Sequence, residues 1–203
     1  MSVLAPPLGT QTPPPAPRGL PVLHWTVDAF HRAAAAGVFG DRRPVLVRGV
    51  LLEQGPMNHP HAVALELLTD ALRATFGANW RVRVQLPLVL GADTDPMPDA
   101  AVLAGSPRAA TAHPTTADLV VEVSDTTLHD DLTTKAELYA TANIAEYWVI
   151  DLDGRELHVF RDPQTNAALN VTTYRLHTKQ AANEAVSPLA APNASISVAD
   201  LLP

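Results

Sequence analysis

Three side chains of this sequence have the types and order that chemistry on a phosphate ester needs: Asp99, Glu122 and Lys135. Glu122 sits in the middle of Leu119-Val120-Val121-Glu122-Val123, a β-branched run suited to a strand buried on both faces. A carboxylate in an apolar strand is costly unless a metal ion or a basic side chain meets it. The segment from about Asp130 to Ala142 reads as a helix that places Asp131, Lys135 and Tyr139 at i, i+4 and i+8 on one face. Asp99 precedes another apolar run, Ala100 to Leu103. If the two strands are neighbours, two carboxylates converge with a lysine beside them. Hard oxygen ligands suit Mg²⁺ or Mn²⁺. Such an ion polarises a phosphate and acidifies its water, while a lysine orients that water or stabilises developing charge. The same residues also satisfy a plain structural reading, in which Glu122 pairs with Lys135 or an arginine and Tyr139 is core.

The elements that must position these groups follow from the rest of the chain. Residues 1 to about 22 are rich in proline and read as a disordered or polyproline-like tail, with residues 23–203 forming one folded domain. Thr26 caps a short amphipathic helix that Gly37 ends. Pro44 to Leu52 reads as two strands around a turn at Arg48-Gly49, and His61 to Phe76 as a long helix stopped by Gly77. Trp80 to Leu90 reads as a strand interrupted at Pro87, followed by a polar loop carrying Asp93 and Asp95. After the Lys135 helix, Glu146–Ile150 and Glu156–Phe160 form a hairpin around Asp153-Gly154. A further strand is expected at Val171–Leu176, and Ala194 to Leu202 closes the domain. Helices on both sides of a strand-rich middle make this an α/β domain with a central mixed sheet.

Composition narrows the function. A net charge of −7 argues against a protein that coats nucleic acid non-specifically, though a local basic groove can coexist with it. The absence of cysteine excludes disulfides and thiolate metal sites. No run approaches the roughly eighteen apolar residues of a membrane helix, and the start does not read as a secretory signal, so the expected location is cytoplasmic. His59-Pro60-His61 lacks a third ligand at helical spacing and makes a weak metal clip. Asp118 reads as a strand-entry residue, and Tyr147 and Trp148 as core.

Several stretches, VRVQLPLVLGADTDPMPDAAVL at 82–103, HPTTADLVVEVSDTTLHDDLTTKAELYATANIAEYWVIDL at 113–152 and the weaker RGVLLEQGPMNHPHAVAL at 48–65, carry a resemblance to a known family. The chain resembles the Uma-type putative restriction endonucleases, a branch of the PD-(D/E)XK nuclease superfamily. The resemblance implies a restriction-endonuclease-like fold and Mg²⁺-dependent (or Mn²⁺-dependent) cleavage of DNA, with a homodimer to cut both strands. It implies Asp99 of Pro98-Asp99 and Glu122 as metal ligands, helped by the Val123 carbonyl. Ser124 stands where the motif has its lysine, and Lys135 on the next helix takes that role. Gln85, His61, Asp131 and Tyr139 fall at supporting or substrate-contacting positions. Asp93 and Asp95 read as loop carboxylates with turn roles, although the resemblance also puts Asp95 at an acidic family position that would face the site. Val50 stands where relatives often carry a glutamate, with Glu53 nearby. A regulatory module that retains the fold without efficient cleavage, or a hydrolase of another phosphate ester, are the alternatives.

Overall fold

The computed structural model describes residues 21–168 and 171–203, so most of the proline-rich tail lies outside the described residues. Six strands form the central sheet: β3 (Trp80–Val84), β4 (Ala100–Ala104), β5 (Leu119–Ser124), β6 (Glu146–Asp151), β7 (Glu156–Asn166) and β8 (Val171–Ala181), in that spatial order. Only β5 and β6 run parallel, and the helical crossover between them carries Lys135. Ahead of the sheet, α1 (Val27–Ala35) is capped by the Thr26 hydroxyl, and β1 (Pro44–Val47) pairs with β2 (Val50–Glu53). Arg48 and Gly49 turn that hairpin with positive φ, and a Cβ on Gly49 would meet the His24 side chain at 2.6 Å.

The expected elements are present, with shifted ends. The long helix, α2 (His59–Phe76), begins two residues early because the Asn58 side chain accepts from the His61 N–H and Pro60 fits the first turn. The Trp80 strand stops at Val84 instead of running to Leu90, because Gln85 turns to φ 48° and Pro87 offers no N–H. The last hairpin strands are longer than expected, β7 and β8 extending to Asn166 and Ala181. A two-residue pair, β9 (Ala185–Val186) with β10 (Ile196–Ser197), closes the chain before a 3₁₀ turn at Val198–Leu201.

The helix expected from Asp130 to Ala142 is three consecutive segments: α3 (Leu128–Asp130), a π turn (Asp131–Lys135) and α4 (Ala136–Thr141). Period-two alternation divides the sheet into two apolar layers. Val121, Val123, Trp148 and Ile150 pack with Leu65, Leu68 and Leu72 of α2 on one face. Val120, Tyr147 and Val149 pack with Ala136 and Tyr139 of the crossover on the other. Glu122 shares the parity of Val120 and so belongs to the crossover face. Among the described residues no helix is long and apolar enough to cross a membrane.

Candidate active site

Antiparallel pairing of β4 with β5 sets Ala100 opposite Val121, so Asp99, one residue earlier, comes level with Glu122. Asp99 is buried at this strand entry and fully used. Its Oδ2 accepts the Val123 N–H at 2.9 Å, and its Oδ1 contacts His61 Nε2 at 3.1 Å and accepts from Gln85 Nε2 at 3.2 Å. Burial pushes the Asp99 carboxyl up, but His61, the Val123 N–H and Gln85 together outweigh it and hold it below its ordinary value. Its hydrogen bond to Asp99 raises His61 in return. The early helix start at Asn58 is what brings His61, in the first turn of α2, to the end of β4.

Glu122 lies within van der Waals enclosure on every side, only 3 % exposed. Its Oε1 accepts the Tyr139 hydroxyl at 2.7 Å, and its Oε2 meets Lys135 Nζ at 3.1 Å. Lys135 Nζ also lies 2.7 Å from Asp131 Oδ1, and the Thr127 hydroxyl donates to the other oxygen of Asp131 at 2.6 Å. Asp131 is completely buried, which is more than helix-end complementarity requires. The Glu122 pKa is raised to about 7, chiefly by burial and then by Asp99 and Asp131, against the pull of Lys135 in the other direction. Burial works against the Lys135 ammonium, yet Glu122 and Asp131 outweigh that and raise its pKa. Tyr139 is raised well above the phenolic range, by burial first and then by Glu122, so its hydroxyl stays a donor. The site therefore holds three carboxylates against one ammonium.

The donor set fits a hard divalent ion. Asp99 and Glu122 come level across the β4–β5 pair, and a carboxylate has about four lone-pair sites. Each therefore keeps acceptor capacity beyond its present partners, the Val123 N–H, His61 and Gln85 for Asp99 and Tyr139 and Lys135 for Glu122. Burial first, and then the Asp99 and Asp131 carboxylates, lift Glu122, and a bound cation would relieve that cost. The crossover also explains the displaced lysine. Ser124 Oγ, two residues after Glu122 on the same face, is buried without a hydrogen-bond partner, and Lys135 reaches Glu122 from the helix instead.

Other sequence candidates lie elsewhere. Asp95, read as a loop carboxylate and offered by the resemblance as an acidic position, binds His31 Nε2 of α1 at 2.7 Å and pairs its backbone with Leu46, so it anchors α1 to the β1–β2 hairpin. Val50 is exposed on β2, and Glu53 is exposed at the end of that strand. Asp118 accepts the Ala104 N–H and so serves strand entry. Tyr147 and Trp148 are core residues whose polar atoms bond the Asp131 carbonyl and Glu146. Two features were not singled out from sequence. Thr127 orients Asp131, and Asp151, Glu156 and His158 gather their ligating atoms within 4.8 Å of one another. The second cluster was legible in principle: the Asp153-Gly154 turn sets Asp151 opposite Glu156, and strand alternation puts His158 on the same face.

Arg73, Arg81 and Arg83 line a cavity of about 540 Å³ with Trp80 and Leu86, along the edge strand β3. That strand ends beside Gln85, whose side chain touches Asp99. Arg83 donates to the Pro87 carbonyl, and the Nε atoms of Arg81 and Arg83 are buried without partners.

Comparison with known proteins agrees with this architecture. A crystal structure of a putative nuclease belonging to DUF820 from Anabaena variabilis superposes with a TM-score of 0.64 at 16 % identity, covering 87 % of this chain and 97 % of that one. At that identity the likeness establishes the fold. No curated protein matches the chain. Residues 27–199 match the family Uma2, described as putative restriction endonuclease, and with nearly all of the folded domain covered the chain belongs to that family.

Proposed function

We propose that this protein is a Mg²⁺- or Mn²⁺-dependent endonuclease that hydrolyses phosphodiester bonds of DNA. The observation that carries the proposal is the pairing of Asp99 and Glu122 at one strand crossing, with Lys135 shared between Glu122 and Asp131. Asp99 and Glu122, with the Val123 carbonyl, would hold the ion, which supplies Lewis acidity to the phosphate and lowers the pKa of its water. Lys135 is a poor general base, because the carboxylates keep it protonated. Its role is to donate to the attacking water or to the oxygen on which charge develops. Tyr139 and Asp131 fix the two ends of that arrangement, and Gln85 and His61 hold Asp99.

The polyanionic substrate finds its cationic surface in Arg73, Arg81 and Arg83. In a chain of net charge −7 this is a local concentration of guanidinium groups, and it runs along the strand that ends at the active site. Guanidinium groups suit phosphate oxygens by their paired N–H geometry. Cleavage of both strands of a duplex requires two such centres, which favours a homodimer.

Plasmid and single-stranded DNA incubated with Mg²⁺ or Mn²⁺ test the reading. The wild type should cleave, and Asp99→Asn, Glu122→Gln and Lys135→Met should each lose about a hundredfold or more in rate. The Arg81→Gln/Arg83→Gln pair should weaken DNA binding and its salt dependence while leaving the carboxylate site intact. DNA binding by the wild type without metal-dependent cleavage would overturn the catalytic reading and leave a binding module.

A further inference from the structure

Asp151, Glu156 and His158 form a constellation that the proposed cleavage does not use. Asp151 ends β6 and Glu156 begins β7 directly opposite it, and His158 follows two residues later on the same face. The imidazole is 2 % exposed and Asp151 5 % exposed. His158 Nε2 lies 3.2 Å from Glu156 Oε1 and 4.0 Å from Asp151 Oδ2, facing both carboxylates without a well-aligned hydrogen bond to either. A buried imidazole nitrogen held beside carboxylates without a well-aligned hydrogen bond is uncommon. Here it points between two carboxylates.

We propose that Asp151, Glu156 and His158 bind a first-row divalent transition metal ion of the Zn²⁺ type, at a site separate from Asp99 and Glu122. One imidazole and two carboxylates suit such an ion better than Mg²⁺, which prefers oxygen alone. Bonds of about 2.0–2.2 Å put neighbouring ligand atoms roughly 3.3 Å apart. The His158–Glu156 separation already matches, and Asp151 needs to move by less than about 1 Å.

The surroundings support the ligand roles. The Gly154 N–H donates to Asp151 Oδ1 at 2.8 Å, and a Cβ on Gly154 would fall 2.4 Å from Oδ2, so the turn holds this carboxylate closely. His177 Nε2 lies 3.0 Å from His158 Nδ1 and its ring stacks on the His158 ring, which orients the imidazole as an outer partner of a metal-bound histidine does. Lys179 Nζ sits 2.6 Å from Glu156 Oε1 and is the resident counter-ion that a metal must displace.

The row Glu122–Val149–His158 crosses two strand spacings, so the two sites lie about 10 Å apart, too far for a shared two-metal centre. The ion at Asp151 would instead clamp β6 to β7 beside the strand that carries Glu122.

The test is calorimetric titration of the full, metal-stripped chain with Zn²⁺, with long-range ¹⁵N NMR of the histidine rings. Glu156→Gln should weaken one Zn²⁺-binding event about tenfold or more, and Asp99→Asn should leave that Glu156-dependent event unchanged. Lys179→Met should tighten it by removing the competing ammonium. Glu156 and Lys179 are the more exposed members, so both variants should fold. Saturating Zn²⁺ should move the His158 Nε2 resonance and raise the melting temperature. Zn²⁺ binding indifferent to Glu156→Gln and Lys179→Met, or a His158 resonance unmoved at saturation, overturns the proposal.

Discussion

Replacing Glu122 by glutamine should make the metal-free protein more stable, and by an amount that grows with pH. The side chain is 3 % exposed and its pKa rises from 4.5 to about 7 on folding. For an acid raised in this way, the folded state keeps a proton that the unfolded chain has lost. The stabilisation is complete below about 4.5 and is lost as the pH rises through about 7. At 1.36 kcal/mol per pKa unit, the ionised carboxylate costs the fold about 3 kcal/mol at pH 8. Glutamine has nearly the same shape, and its amide oxygen still accepts from Tyr139. The stability difference between Glu122→Gln and wild type should therefore be small at pH 4.5 and favour the variant by about 3 kcal/mol at pH 8. For a domain of this size that is roughly 6–12 °C in Tm. Urea unfolding in EDTA between pH 4.5 and 8 gives the difference curve, in which the opposite titrations of Asp99 and His61 largely cancel. Millimolar Mg²⁺ should reduce the wild type's deficit at pH 8 and stabilise the variant far less. A difference curve flat in pH, or one that favours the wild type at pH 8, would refute the assignment of Glu122 as a carboxylate held against burial.

Two further perturbations separate the site from its supports. Tyr139→Phe removes a hydroxyl that stabilises the Glu122 anion, so the pH at which cleavage reaches half its maximum should move upward, measured on plasmid nicking with Mg²⁺. Asp95→Asn should cost about 1–3 kcal/mol in urea unfolding by weakening the buried tie to His31, while nicking stays at the wild-type rate because neither residue touches Asp99 or Glu122.

Much of the fold was readable because strong local signals coincide with the tertiary outcome. Thr26, the Arg48-Gly49 turn, Gly77 and Asp153-Gly154 mark element ends, and the β-branched runs mark strands that are buried on both faces. The misjudged ends share a cause. Trp80 to Leu90 alternates like one strand, but after Val84 the chain bonds the Asp99, Pro96 and Pro114 backbones in turn, partners no local pattern specifies. Asp95 illustrates the same limit: it reads as a loop carboxylate with a turn role, and nothing local points to its partner His31, which α1 supplies from sixty-four residues away. The Glu122, Lys135 and Tyr139 grouping was legible because two periodicities meet there, that of a strand and that of a helix.

The π turn is where that legibility fails, and it accounts for how one lysine serves two carboxylates. An uninterrupted α-helix would place Asp131 and Lys135 on one stripe, but it would not by itself set the stripe against a fixed point in β5. Single π turns of this kind are rare and concentrate at functional sites. Here the Asp131 carbonyl accepts the hydroxyl of Tyr147 from β6, a bond from outside the helix in the segment where α-type bonding gives way. Tyr147 thus ties the wide turn to the strand beside Glu122, and Tyr139 ties the following turn to Glu122 itself. Between these two phenol contacts, Lys135 has little choice but to lie between Asp131 and Glu122. A lysine at position 124 would have come from the strand itself. Coming from the helix, it depends on the register of the crossover, so whatever shifts that register moves the ammonium away from the carboxylates without touching either of them.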